Sequence, residues 1–213
     1  MHASNDKWKA NNPGGLDKNN LFFIPEEFDG EMPLIRKYTG DLPTSLVRFR
    51  HTPKKRQAVH FFLDDYRFEC VWNRPNVYSW WYLDKTALSP DFSIYTNTPV
   101  MVQKWNTYRN RWLGAYFKSC GVNVIPCVTW GDEKSFDFCF KGVEQGSVVA
   151  ISTRGVGKFK EEFTRGFDEM VKQLIPMSII CGGDISKVYV GKDDLSMVTS
   201  YILERPSYCY RRI

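Results

Sequence analysis

The sequence predicts an α/β fold: a mostly parallel sheet with flanking helices, either doubly wound or an incomplete barrel, behind an irregular N-terminal arm. Three observations carry this. Residues 58–63, 122–129, 147–152 and 177–181 are short apolar runs without polar alternation, as expected of strands buried on both faces. Between them lie segments with apolar residues at helical spacing. The two kinds of segment alternate, which places helices over a parallel sheet. The length of 213 residues fits a flexible arm over 1–20 and a single domain over 21–213. Apolar residues make up 43% and aromatics 15%, enough for a sizeable core.

In chain order, residues 1–20 are polar, with Asn11, Asn12, Pro13, Gly14, Gly15, Asn19 and Asn20 crowded together, so they offer little to bury. A proline-interrupted lead-in follows, with one strand predicted over 45–50 and then the basic cluster Lys54-Lys55-Arg56. The run 58–63 is a buried strand ending at Asp64-Asp65. After a turn-rich passage through Trp72, Trp80 and Trp81, residues 88–93 form a short strand or strand end. The clearest helix comes next: Thr98 caps it, Pro99 takes its first position, and Met101, Trp105, Tyr108, Trp112 and Tyr116 make a buried stripe until Gly121 stops it. Residues 122–129 form a strand that Pro126 weakens, followed by a short helical piece around 136–140. The strand 147–152, a glycine-bearing loop and a helix over 158–174, with Phe159, Phe163, Phe167, Met170 and Leu174 inward, make a βα unit. A strand over 177–181, a turn at Gly182-Gly183-Asp184, a last strand over 187–190 and a closing helix over 193–204 complete the prediction.

The formal charge of +5, from 29 basic and 24 acidic residues, permits phosphate or nucleic acid partners without demanding them. Cys70, Cys120, Cys127, Cys139, Cys181 and Cys209 contain no CxxC pair, and most lie in apolar runs, so they read as reduced packing residues. No apolar stretch approaches the roughly 20 residues of a membrane span and the N-terminus has no hydrophobic signal core, so the expectation is a cytoplasmic protein without membrane contact. GxSxG and HExxH are absent, which argues against covalent hydrolase and zinc-protease chemistry.

In parallel α/β folds the loops after the strands' C-terminal ends converge on one rim, where ligands bind. The predicted strands place Asp64, Asp65, Asp91, Ser93, Thr129, Trp130, Ser152, Thr153, Arg154 and Asp184 there. Asp64, Asp65 and Asp91 are candidate acid and base groups, with Asp64 and Asp91 as ligands for Mg²⁺ or Mn²⁺; the competing reading is that neighbouring strand residues point to opposite faces. Ser152, Thr153, Arg154, Gly155, Gly157 and Lys158 are candidate phosphate binders, because a glycine loop entering a helix offers backbone N–H groups and a positive dipole end. That loop matches neither a P-loop nor a dinucleotide fingerprint, and a tight turn explains it equally. On the helix after residue 99, Asn106 and Arg109 share a face and are candidate rim residues, whereas Arg109 and Arg111 point apart.

The words Leu88-Ser89-Pro90-Asp91-Phe92-Ser93, Trp105-Asn106-Thr107-Tyr108-Arg109-Asn110-Arg111 and Ser147-Val148-Val149-Ala150-Ile151-Ser152-Thr153 resemble a family of bacterial and phage-encoded proteins catalogued as a domain of unknown function. The resemblance runs from His60 to Gly155, and Lys187-Val188-Tyr189-Val190-Gly191 is similar to the family's closing segment. It implies an association with phages or other mobile elements and supplies no site residues. Three functions therefore compete: binding or chemistry on a nucleotide or nucleic acid phosphate at the rim, docking of a host or phage protein through Trp72, Trp80 and Trp81, and nucleic acid binding through Lys54-Lys55-Arg56 with the tail residues Tyr208, Tyr210, Arg211 and Arg212.

Overall fold

The structure, a computed structural model, describes residues 25–192 and 194–203. The arm over 1–20, Cys209 and the basic tail lie outside the described residues. Seven strands carry the architecture: β3 (Ser45–Arg48), β4 (Gln57–His60), β5 (Thr86–Leu88), β6 (Asn123–Ile125), β7 (Val148–Ser152), β8 (Ser178–Gly182) and β9 (Val198–Tyr201). They follow a two-stranded antiparallel hairpin, β1 (Phe28–Asp29) and β2 (Met32–Pro33). All pairings from β3 to β6 and from β7 to β9 are parallel and between sequence neighbours. Beyond β6 the chain stays beside β7, through the parallel bridge of Cys127 to Ala150 and the Ala150 N–H donated to Pro126 O at 2.8 Å. Pro126 shortens the strand, as its missing N–H requires.

A strand order that never reverses has no switch point, so the fold is not doubly wound. One apolar cluster takes a side chain from every strand: Leu46, Ala58, Leu88, Ile125, Val148, Ala150, Ile180 and Tyr201, joined by Phe62 and Cys127 just past β4 and β6. Only a sheet curled on itself brings those faces together, so the seven strands form an incomplete barrel. The Tyr201 hydroxyl spans the seam between β9 and β3, donating to Pro43 O at 2.6 Å. Tyr38 and Leu42, from the segment before β3, pack against the same cluster.

The helices cover the outside. α1 (Glu69–Asn73), α2 (Pro75–Trp81) and α3 (Val100–Ser119) bury Trp72, Tyr82, Trp112, Leu113 and Phe117 against Val59, Ala87 and Val124. α4 (Phe136–Cys139) and α5 (Lys160–Leu174) bury Phe138, Phe163, Phe167, Met170 and Leu174 against Val149, Ile151, Ile179 and Cys181. The alternation of inward and outward residues along β4, β7 and β8 assigns one face to the interior and one to the helices. Among the described residues no helix is long and apolar enough to cross a membrane, and the five described cysteines are free thiols.

Four expectations are corrected. Residues 187–190 do not form a strand; a 3-10 turn, Ile185–Lys187, stands there. The closing helix over 193–204 is instead the strand β9, because Leu195, Val198 and Ile202 fall at helical spacing while Val198, Thr199 and Tyr201 suit a pleated edge beside β8. Phe159 is exposed rather than inward, since α5 starts one residue after it. In α3 the helix begins at Val100, Thr98 caps nothing and donates to Tyr95 O, and the expected stripe is only partly buried: Trp112 is enclosed, but Met101 is 75% exposed.

Beside Trp112, Leu113 and Phe117, α3 buries the polar residues Gln103, Asn106, Thr107, Arg109, Asn110 and Arg111. Its helix crosses irregular backbone after β5 and β6 whose carbonyls need donors. Asn106 donates to Ser93 O and Asn110 to Pro90 O, both at 2.7 Å. Arg111, 1% exposed, donates to Cys127 O at 2.9 Å, Cys139 O at 2.6 Å and Lys141 O at 2.8 Å. Burial lowers its pKa to about 10, so it stays charged at neutral pH.

Arg111→Lys leaves carbonyls unsatisfied that one ammonium cannot reach, and each costs about 1–3 kcal/mol; chemical denaturation should show a loss of at least that size. Conversely, Ile175 ends α5 at φ 45°, a left-handed conformation that a β-branched residue tolerates poorly, and it is exposed. Ile175→Gly should stabilise the protein by about 1 kcal/mol, read as a rise of a few degrees in Tm.

Candidate functional site

The C-terminal ends of the seven strands form the barrel's mouth. On one side of it the chain leaves β4 and turns through Asp64 and Asp65. The two carboxylates part: Asp64 faces solvent and pairs with Arg67 at 3.2 Å, whereas Asp65 accepts from the Ser93 hydroxyl at 2.8 Å and from the Ser93 N–H at 3.2 Å. Burial raises the Asp65 pKa against the effect of those bonds. Asp91, half-buried after β5, accepts a hydrogen bond from Thr129 and another from the Cys127 thiol. Burial is the chief cause that lifts its pKa from 3.8 to about 6, and the Asp65 charge adds to it. Asp65, not Asp64, is therefore the carboxylate beside Asp91. Asp64 is engaged by Arg67 and Asp91 by Thr129, and among the described residues no group of three or more His, Cys, Asp or Glu could hold a metal ion.

Asn106 and Arg109 do come together, with a 2.7 Å bond from Arg109 to Asn106 Oδ1. They act from behind the rim. Arg109 is pressed against the Phe92 ring, 3.8 Å to the centroid, and pairs with Glu69 at 2.7 Å, while Asn106 holds Ser93 O. The chain Glu69, Arg109, Asn106, Ser93, Asp65 thus fixes one carboxylate of the mouth.

A second group at the mouth is basic. Arg48 and His60 are register partners on β3 and β4, two residues beyond the partners Leu46 and Ala58 that line the interior, so both lie on the interior face. From the loop after β7, Arg154 reaches across and donates to Phe62 O at 2.8 Å. The Phe62 ring extends from β4 to β8, where a Cβ on Gly182 would meet it at 2.5 Å; only glycine leaves that space. His60 is 3% exposed, and its Nδ1 accepts the Phe62 N–H at 3.2 Å, which leaves Nε2 as the protonated nitrogen of the neutral ring. Burial first, then the charges of Arg154 and Arg48, push its pKa down from 6.5 to about 4. Among the described residues no carboxylate stands within ion-pair distance of Arg48 or Arg154.

A cleft of about 450 Å³ opens at the ends of β7, β8 and β9, lined by Thr153, Arg154, Gly183, Lys187, Ser200 and Tyr201 among others. Its size falls in the range of small-ligand sites. Ser152 and Thr153 both reach Gly182 O, and Asp184 caps the following turn while pairing with Lys187 at 3.2 Å.

The glycine loop divides. Arg154 joins the mouth, but Gly155, Gly157 and Lys158 lead away to α5, whose first turn carries Glu161 and Glu162 and so repels an anion. Trp130 is not at the rim: it packs on Phe163, ring centroids 5.2 Å apart. Lys54, Lys55 and Arg56 precede β4 and so stand at the barrel's other end. Arg48, His60, Lys187 and Ser200 were not singled out by sequence; for Arg48 and His60 the period-two pattern of the two strands held the signal.

Residues 30–201 match the family described as Domain of unknown function (DUF4417). The chain belongs to that family. Two DUF4417 chain relatives are phage proteins. The Gene 1 protein of Mycobacterium phage L5 is 38% identical over 229 residues, covering 100% of this chain and 95% of its own length. The Gene 1 protein of Mycobacterium phage D29 is 35% identical over 212 residues, covering 94% and 76%. No solved structure matches. The matched segment holds every strand of the barrel, so the DUF4417 unit includes the whole mouth.

Asp91 and His60 give opposite pH responses. Asp91, raised to about 6, binds its proton more tightly in the folded state; its stabilising contribution is complete below about pH 3.8 and lost as pH rises through 6. His60, lowered to about 4, is protonated first in the unfolded state, so stability falls as pH drops from 6.5 towards 4. Thermal melts across pH 4–7 should show the Tm of Asp91→Asn rising relative to wild type as pH increases, and that of His60→Asn rising relative to wild type as pH decreases.

Proposed function

We propose that this DUF4417 protein binds a phosphate-bearing ligand, a nucleotide or nucleic acid, at the mouth of its barrel. The observation that carries the reading is the Arg154 guanidinium, held at the edge of a ligand-sized cleft with no carboxylate to neutralise it among the described residues. A guanidinium presents paired N–H groups that match phosphate oxygens. Thr153 and Ser200 add hydroxyls, and Lys187 adds charge that Asp184 partly offsets. After β5, burial raises the Asp91 pKa to about 6, towards the range in which a carboxyl serves as a general acid or base.

The test is binding of ATP and of a 3′-labelled single-stranded DNA 12-mer, followed by calorimetry and anisotropy at several salt concentrations. Wild type should bind, more weakly as salt rises. Arg154→Ala should lose about 10-fold or more, the usual scale for a charge-assisted hydrogen bond, and Lys187→Ala a smaller factor, with both variants checked by thermal melt. Absence of binding by wild type to either probe, or wild-type affinity in a folded Arg154→Ala, would reject the reading.

A second reading, docking of a host or phage protein, is favoured by Trp80, which is 78% exposed on α2, with Trp81 beside it. Trp72 does not belong to that surface, being buried against Trp105 and Trp112.

A further inference from the structure

We propose that Arg48, Arg154 and His60 form a subsite for a terminal phosphate group, so that the ligand is a phosphomonoester: a nucleoside monophosphate or the 5′-phosphorylated end of a nucleic acid strand. This rests on the phosphate-binding reading above and narrows it. Arg48 projects from the last residue of β3 on the interior face, His60 is its register partner on β4, and Arg154 is anchored to Phe62 O two residues beyond His60. Three elements distant in sequence thereby bring two guanidiniums to one imidazole.

Two features select an end over an internal phosphate. The first is shape. Below His60 the barrel is filled by Ala58, Leu88, Ile125, Ala150 and Ile180, and Tyr38 and Leu42 pack beneath, so no strand can thread through and a ligand enters only by its end. The second is charge. A phosphodiester offers two non-bridging oxygens and a single negative charge; a terminal phosphate offers three such oxygens and up to two charges. One Arg154 nitrogen is spent on Phe62 O, but both guanidiniums keep their charge, and with the His60 ring neutral the two cations are matched by a dianion and not by the single charge of a diester. The carboxylates of Asp65 and Asp91 are engaged by Ser93 and Thr129 and pair with neither arginine.

Calorimetry with two DNA 10-mers of identical sequence, one 5′-phosphorylated and one with a 5′-hydroxyl, and with AMP against adenosine, separates the possibilities. Wild type should bind the 5′-phosphorylated strand at least tenfold more tightly than the 5′-hydroxyl strand and should bind AMP but not adenosine. Arg48→Ala should abolish the preference, bringing the affinity of the phosphorylated strand down to that of the hydroxyl strand. Should Arg48→Ala fold poorly, Arg48→Lys keeps the charge and loses the fork, and should still reduce the 5′-phosphate preference. If both strands bind wild type equally, the terminal-phosphate assignment is wrong while phosphate binding stands. If neither strand nor AMP binds, both fall.

Discussion

The mouth of the barrel depends on one buried cation. Arg111 ties the backbone after β6 to the segment that follows α4 through three carbonyls, those of Cys127, Cys139 and Lys141, while Asn110 beside it holds Pro90 O after β5. These loops are irregular and partly buried, so their carbonyls cannot rely on water or a sheet ladder. A guanidinium with five donors in one plane satisfies several of them from one site, which an apolar helix face could not do. The polar inner face of α3 is therefore the price of a rim built from loops. Asp91 and Thr129 sit on backbone that this network positions.

Charge is distributed around the mouth by the same logic. Asp65 and Asp91 are neighbours partly withdrawn from water, and both are pushed towards their protonated forms. His60 lies near two arginines and is pushed towards its neutral form. Acidic groups biased to lose charge face a basic set whose histidine is biased the same way, so the two guanidiniums dominate the local field. The basic cluster at Lys54, Lys55 and Arg56 contributes nothing to it, being at the other end of the strands.

Much of the barrel was legible in the chain because its signals are local. Residues 147–152 and the helix after them read correctly, since a buried strand and an amphipathic helix advertise themselves over a few residues. The placement of Arg154 after a strand end followed from that reading. The failures are instructive in the same terms. In α3 the sequence shows an aromatic stripe at helical spacing, but a periodicity does not say which stripe faces inward when the neighbouring surface is made of unpaired carbonyls. For β9, Leu195, Val198 and Ile202 mimic a helix, and only the open edge of β8 makes the strand preferable.

What the sequence by itself determined is the class of the fold, the polarity of its strands and the list of groups available at their C-terminal ends, because burial pattern and helix propensity act over short distances. Tertiary structure alone decided that the strands curl into an incomplete barrel, that Asp65 rather than Asp64 joins Asp91, and that Arg48, His60 and Arg154 meet. The last of these depends on the curvature of seven strands, which brings the loop after β7 to the ends of β3 and β4 although 106 positions separate Arg48 from Arg154. No local pattern encodes a distance across a barrel.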